Sequence, residues 1–114
     1  MEIIQILKII AAVGTIITGL ISAIRPHSIK GFTGLEAPGP RGVTEIRAIM
    51  GGVFIGAGLA PILLGVNAAY QVLGIIYLAI ALVRGVGMVM DKSVMKSNII
   101  SLVVEIAFGG ILVL

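Results

Sequence analysis

Thr44-Glu45-Ile46-Arg47-Ala48-Ile49-Met50-Gly51-Gly52-Val53-Phe54-Ile55-Gly56-Ala57-Gly58-Leu59-Ala60-Pro61 is the stretch on which the fold turns. Thr44 reads as a helix cap: its side-chain oxygen can accept from the free N–H groups of the turn it opens. Glu45 follows where the helix dipole favours an anion. Beyond Arg47 the stretch is apolar and glycine-rich as far as Pro61, a composition fit for lipid or for another helix. Ala48, Gly52, Gly56 and Ala60 recur every four residues. On a helix they form one flat stripe, which a second backbone can approach closely. The stretch predicts a transmembrane helix made for helix–helix contact, in the first instance within its own chain. The pair Glu45 and Arg47 stands at its mouth.

Composition places the rest of the chain in the same class. Hydrophobic residues make up 59% of the 114 and charged residues 11%, and the mean hydropathy is +1.22. Soluble domains carry about 25% charged residues. The apolar residues come in runs of about 20, the length that crosses ~30 Å of hydrocarbon as helix, and no short alternating segments of the barrel type occur. The expected fold is all-α: one transmembrane domain, residues 1–114, forming an antiparallel up-and-down bundle of four transmembrane helices. The chain has no cysteine, so disulfide and thiolate chemistry are excluded and the redox compartment is left open. A net charge of +3, scattered along the chain, gives no nucleic-acid footprint.

The spans are expected at about 3–24, 44–64, 68–90 and 95–114. The first is too long and too poor in basic residues at its start to read as a signal peptide. Gln5, Lys8, Ala12, Thr15, Gly19 and Ser22 form its small and polar face, expected to turn towards other helices, and Lys8 is expected to snorkel to the near interface. Arg25 to Val43 holds Pro26, Pro38 and Pro40 with four glycines, so it cannot form a long regular helix. His27, the only histidine, has no cysteine or second histidine to make a metal site with. No cofactor or metal is expected. Gly65-Val66-Asn67 permits only a tight reversal. The fourth span ends with the chain, and neither a tail nor an extramembrane domain is expected.

Arg25, Lys30, Arg41, Lys92 and Lys96 all flank one side of this arrangement, against Lys8 and the amino terminus on the other. The positive-inside rule then places loops 25–43 and 91–97 in the cytoplasm and both termini outside the plasma membrane. Arg84 lies about 10 Å below the end of the third span and Glu105 about 12 Å below the start of the fourth, at 1.5 Å per residue. Their depths match, and Glu45 and Arg47 enter from the same side. A lone charge near the bilayer centre costs about 2.5–3.5 kcal/mol or more, so pairing is expected. Asn98, Ser101, Glu105 and Gly109 share one face of the fourth span, and Tyr77, Arg84 and Asp91 share the matching face of the third. The candidate polar cluster is Glu45, Arg47, Arg84, Glu105 and Asp91. It serves either as a structural core that sets helix register or as a site for a proton, an ion or a polar headgroup.

Glu45-Ile46-Arg47-Ala48 with Gly51-Gly52, Gly56 and Gly58 resembles the signature of domain-of-unknown-function family 4345, small four-span membrane proteins of bacteria and archaea. Arg84-Gly85-Val86-Gly87 with Asp91, and Glu105, continue the resemblance over nearly the whole chain. Met50 stands where that family usually has a tyrosine, and Lys92 where a glycine usually follows the aspartate. The resemblance implies the four-helix membrane fold and no activity. Small multidrug transporters share the length and span number but depend on an acid in the first helix, where this chain has only Lys8. The expected function is an accessory or scaffold subunit, packing in a homo-oligomer or a larger membrane complex with the lipid bilayer as its solvent. The alternative is a transporter or a lipid- or small-ligand-binding protein using the charged cluster. An enzyme is not expected, since no nucleophile, phosphate loop or metal constellation is present.

Overall fold

The computed structural model describes residues 2–114. Among the described residues it contains helices and turns and no strand. In order come α1 (Ile3–Ile24), a 3₁₀ turn (Pro26–Ile29), α2 (Lys30–Thr33) and α3 (Pro40–Glu45). A π-helical segment (Ile46–Val53), α4 (Phe54–Leu64), α5 (Asn67–Met90) and α6 (Lys96–Leu112) follow. The run Pro40–Leu64 is continuous, and it, α1 and α5 are long and apolar enough to cross a membrane. α6 has 17 residues, fewer than the span expected over 95–114.

The helix ends follow local chemistry. Pro40 occupies the first turn of α3 behind Gly39, where its missing N–H costs nothing. Thr44 therefore sits inside α3 and is not a cap, a correction to the sequence reading: proline begins the helix one turn earlier. α4 ends at Gly65, whose φ of 67° is the left-handed closure glycine adopts without penalty. Its N–H returns to the Pro61 carbonyl at 3.0 Å.

Two tight pairs make up the body, α1 with the π segment and α4, and α5 with α6. The expected polar face of α1 points inward: Lys8, Ala12, Thr15, Gly19 and Ser22 are buried, together with Ala11. Contact with the second long helix is made at Gly51 of the π segment and Gly58 of α4. A methyl group on Gly58 would stand 2.5 Å from the Ala12 carbonyl oxygen, and one on Gly51 would stand 2.7 Å from Ala23 Cβ. The stripe of Ala48, Gly52, Gly56 and Ala60 does not make this contact. Ala48, Gly52 and Gly56 are exposed and Ala60 is half-buried; a methyl on Gly52 or Gly56 would meet nothing within 4 Å. The buried seam runs through Gly51, Gly58 and Pro61, at steps of seven and three that share one helix face, so the contact falls beside the four-residue stripe and not on it.

Where the pairs meet, Ala11, Ala12, Leu73, Tyr77 and Leu112 form the core, with Phe108 against it. Tyr77 and Phe108 meet edge to face at 5.6 Å and 88°. The Thr15 hydroxyl donates to the Ala11 carbonyl at 2.8 Å, which uses its only proton, so in the contact between Thr15 and Tyr77 the phenol is the donor. At the end carrying the termini, Lys8 Nζ donates to Asn67 Oδ1 at 2.6 Å and Gln71 Nε2 to the Val113 carbonyl at 3.2 Å. Lys8 is buried, with its ammonium held by the start of α5.

Candidate functional site

Arg84 and Glu105 meet between α5 and α6. Nε donates to Oε1 at 2.8 Å and to Oε2 at 3.0 Å, and Nη2 donates to Oε2 at 2.8 Å. The fork of the guanidinium faces the fork of the carboxylate, the geometry that makes such pairs directional as well as strong. Glu105 is 8% exposed, while the Arg84 side chain is 31% exposed. Nη1 donates to Asn98 Oδ1 at 3.1 Å, and Asn98 Nδ2 donates in turn to the Ser93 carbonyl at 2.9 Å. Three of the five guanidinium N–H groups are thereby engaged. One on Nη1 and one on Nη2 have no protein acceptor among the described residues.

Arg84 lines an open cleft of about 590 Å³. It runs along α5 from Ala79, Ile80 and Val83, past Arg84 and Gly87, to Asp91, and closes against Ser93 and Asn98 of the connection to α6. The cleft begins where the second helix leaves α5. Ile80 still shares a small apolar gap with Val53 and Phe54, but beyond it the π segment packs on α1 and α5 is left open on that side. Asp91 closes α5, its N–H returning to the Gly87 carbonyl at 2.8 Å. Its Oδ2 lies over Gly87, 3.8 Å from where a methyl on that glycine would stand. The Asp91 side chain has no hydrogen-bond or ion-pair partner among the described residues.

Glu45 and Arg47 do not join this network. Glu45 is exposed and takes Arg41 Nη1 at 3.2 Å one turn away, a pair worth little in water. Arg47 Nη1 donates to the Ala23 carbonyl at 2.6 Å, one of the carbonyls left unpaired at the end of α1. The expected cluster is thus divided: Arg84 and Glu105 pair with Asp91 close by, whereas Glu45 and Arg47 belong to the other pair of helices. Arg84 and Glu105 lie at matching distances from the α5–α6 turn and meet there, while Glu45 and Arg47 find their partners at Arg41 and at the end of α1.

The family described as Domain of unknown function (DUF4345) matches residues 3–114. The chain belongs to this family. Comparison with curated proteins and with solved structures finds no match. In this DUF4345 chain two partnerships escaped sequence reasoning. Asn98 precedes Glu105 by seven residues and shares its face, a signal that could have named it a partner of Arg84. The hydroxyl contact between Thr15 and Tyr77 joins residues 62 apart and leaves no trace in spacing. The resemblance also marked a position usually held by glycine after Asp91: Lys92 has a φ of 53°, the left-handed region that glycine enters freely.

Proposed function

We propose that this DUF4345 chain is a four-span integral membrane protein that holds an amphipathic ligand in the cleft beside Arg84. The single observation behind the reading is that Arg84, with two N–H groups unengaged by the described residues, lines a cleft whose wall along α5 also carries Ala79, Ile80 and Val83. Polar groups with such donors at a wall of this kind favour a ligand with an acceptor at one end and hydrocarbon at the other. α6 completes the fourth crossing in this reading: 17 residues is the lower end of the ~17–25 that span a bilayer. Its Val103, Val104 and Ile106 are exposed, as a lipid-facing surface requires. The basic residues about loops 25–43 and 91–97 put those loops in the cytoplasm and the termini outside.

Gly87→Leu tests the reading. A Cβ at position 87 would meet only Asp91 Oδ2, at 3.8 Å, and Gly87 lines the cleft, so leucine is expected to fill the mouth without moving a helix. The variant is expected to keep the wild-type melting temperature in detergent and to lose co-purifying lipid, measured by mass spectrometry of the extracted protein. Lipid retained at the wild-type ratio contradicts a ligand in the cleft.

A second reading, an accessory subunit assembled through helix contacts, is favoured by the outward stripe of Ala48, Gly52 and Gly56. Small residues of this spacing let a neighbouring helix approach closely in lipid. Gly52→Leu with Gly56→Leu would then release the partner or lower the oligomeric mass on a sizing column, and an unchanged mass contradicts assembly through this face.

A further inference from the structure

The cleft is graded along α5, and the gradation specifies a headgroup. Ala79, Ile80 and Val83 form its inner wall, Arg84 comes next, and Asp91, Ser93 and Asn98 form the rim. Arg84 offers two N–H donors but little net charge, since Glu105 already matches its cation at 2.8 Å. Asp91 is the unmatched charge. A simple anion is poorly served here, because it would face two carboxylates across one guanidinium already in use. A simple cation is served at Asp91 but leaves the Arg84 donors idle above an apolar wall.

A head carrying both an anionic phosphodiester and a cation satisfies both ends. We infer that the cleft takes a phospholipid whose head joins a phosphodiester to a primary ammonium, with phosphate oxygens accepting from Arg84 and the ammonium donating to Asp91. This rests on the proposed membrane location and on the ligand-binding reading. The order of groups agrees with it: acyl chain against Ala79, Ile80 and Val83, phosphate at Arg84, amine outermost. Asp91 Oδ2 folds back over Gly87, three residues from Arg84 along the same cleft, so one head can reach both polar groups.

A primary ammonium fits better than a trimethylated one. Quaternary ammonium groups are held by aromatic faces, and the residues lining this cleft include no aromatic ring. The Asp91 carboxylate accepts hydrogen bonds, and of the two amines only the unmethylated one can donate them. Lys92 and Lys96 are exposed beside the cleft without lining it. They attract anionic surfaces in general, and so a comparison with an anionic lipid belongs in the test.

Native mass spectrometry in detergent provides it. The purified chain is mixed with equal amounts of ethanolamine, choline and glycerol phospholipids with identical acyl chains. Wild type is expected to retain the ethanolamine lipid about tenfold over the choline lipid, the scale of one charge-assisted hydrogen bond, and to prefer it over the glycerol lipid. Asp91→Asn, an exposed change that leaves the closing backbone bond in place, is expected to erase the discrimination between ethanolamine and choline while phospholipid is still retained. Soluble phosphoethanolamine is expected not to displace the lipid; displacement at comparable concentration would assign the site to a soluble head and overturn the lipid as its source. Equal retention of the three lipids, preference for the glycerol lipid, or a preference that survives Asp91→Asn would overturn the inference and leave the ligand-binding reading standing. Retention of no phospholipid would overturn both.

Discussion

Arg84 and Glu105 set the chemistry at the scale of single residues. Removing one partner leaves the other charge stranded between helices, at a cost of about 3 kcal/mol by the behaviour of buried pairs, whereas removing both with similar volume returns much of it. In a double-mutant cycle, Arg84→Met and Glu105→Gln are each expected to lower stability more than the two together, read as melting temperature or denaturant midpoint. Strictly additive losses would mean that the pair does not interact in the folded protein. Lys92 offers a test of opposite sign. Its left-handed φ of 53° costs a side-chain-bearing residue about 1 kcal/mol, so Lys92→Gly is expected to leave the melting temperature unchanged or raise it by a few degrees. A clear fall would show that the lysine side chain itself holds the turn. The Arg84 partnership was legible because two charges of opposite sign lie at matching distances from the α5–α6 turn in otherwise apolar helices. Arg47 was not, because its acceptor is a backbone carbonyl at the end of α1, and a carbonyl has no signature in sequence.

At the scale of elements the second helix carries the lesson. The four-residue stripe marks a real face of small residues, but the face packed on α1 is the neighbouring one that carries Gly51 and Gly58. Nothing in Ala48, Gly52, Gly56 and Ala60 marks them as the outward face. Gly51 and Gly58, seven apart, turn out to be the residues against α1. Their role calls for glycine because α1 backbone atoms lie where a side chain would begin: the Ala12 carbonyl oxygen at Gly58, and Ala23 N and Cα at 3.0 Å beside Gly51. α1 itself was readable, since small and polar residues at steps of three and four in an isoleucine-rich span identify the packed face directly. The matching prediction is a contrast between neighbours. Gly58→Leu is expected to destabilise the monomer by about 3 kcal/mol or to prevent folding, as overpacking does, while Gly56→Leu leaves the monomer's melting temperature unchanged. Equal losses at both positions would mean that the second helix does not take the rotation described.

Over the whole molecule, apolar side chains cover the outside and the polar groups gather at the two ends and in the cleft. Lys8 with Asn67, and Gln71 with the Val113 carbonyl, tie the end that holds the termini. The long loop and the α5–α6 turn occupy the other. Run length and basic asymmetry were enough to foresee this division, while the shorter α6 depends on how far lipid follows Lys96–Leu112. That helix decides between three crossings and four, and the cleft needs it in the membrane to hold Glu105. The direct measurement is labelling of single cysteines at Ser28, Asn67, Ser93 and Leu114 with an impermeant reagent in intact cells. Four crossings predict that positions 67 and 114 react and that 28 and 93 react only after the membrane is opened. Position 114 behaving like position 93 would remove the fourth crossing, and the proposed site with it.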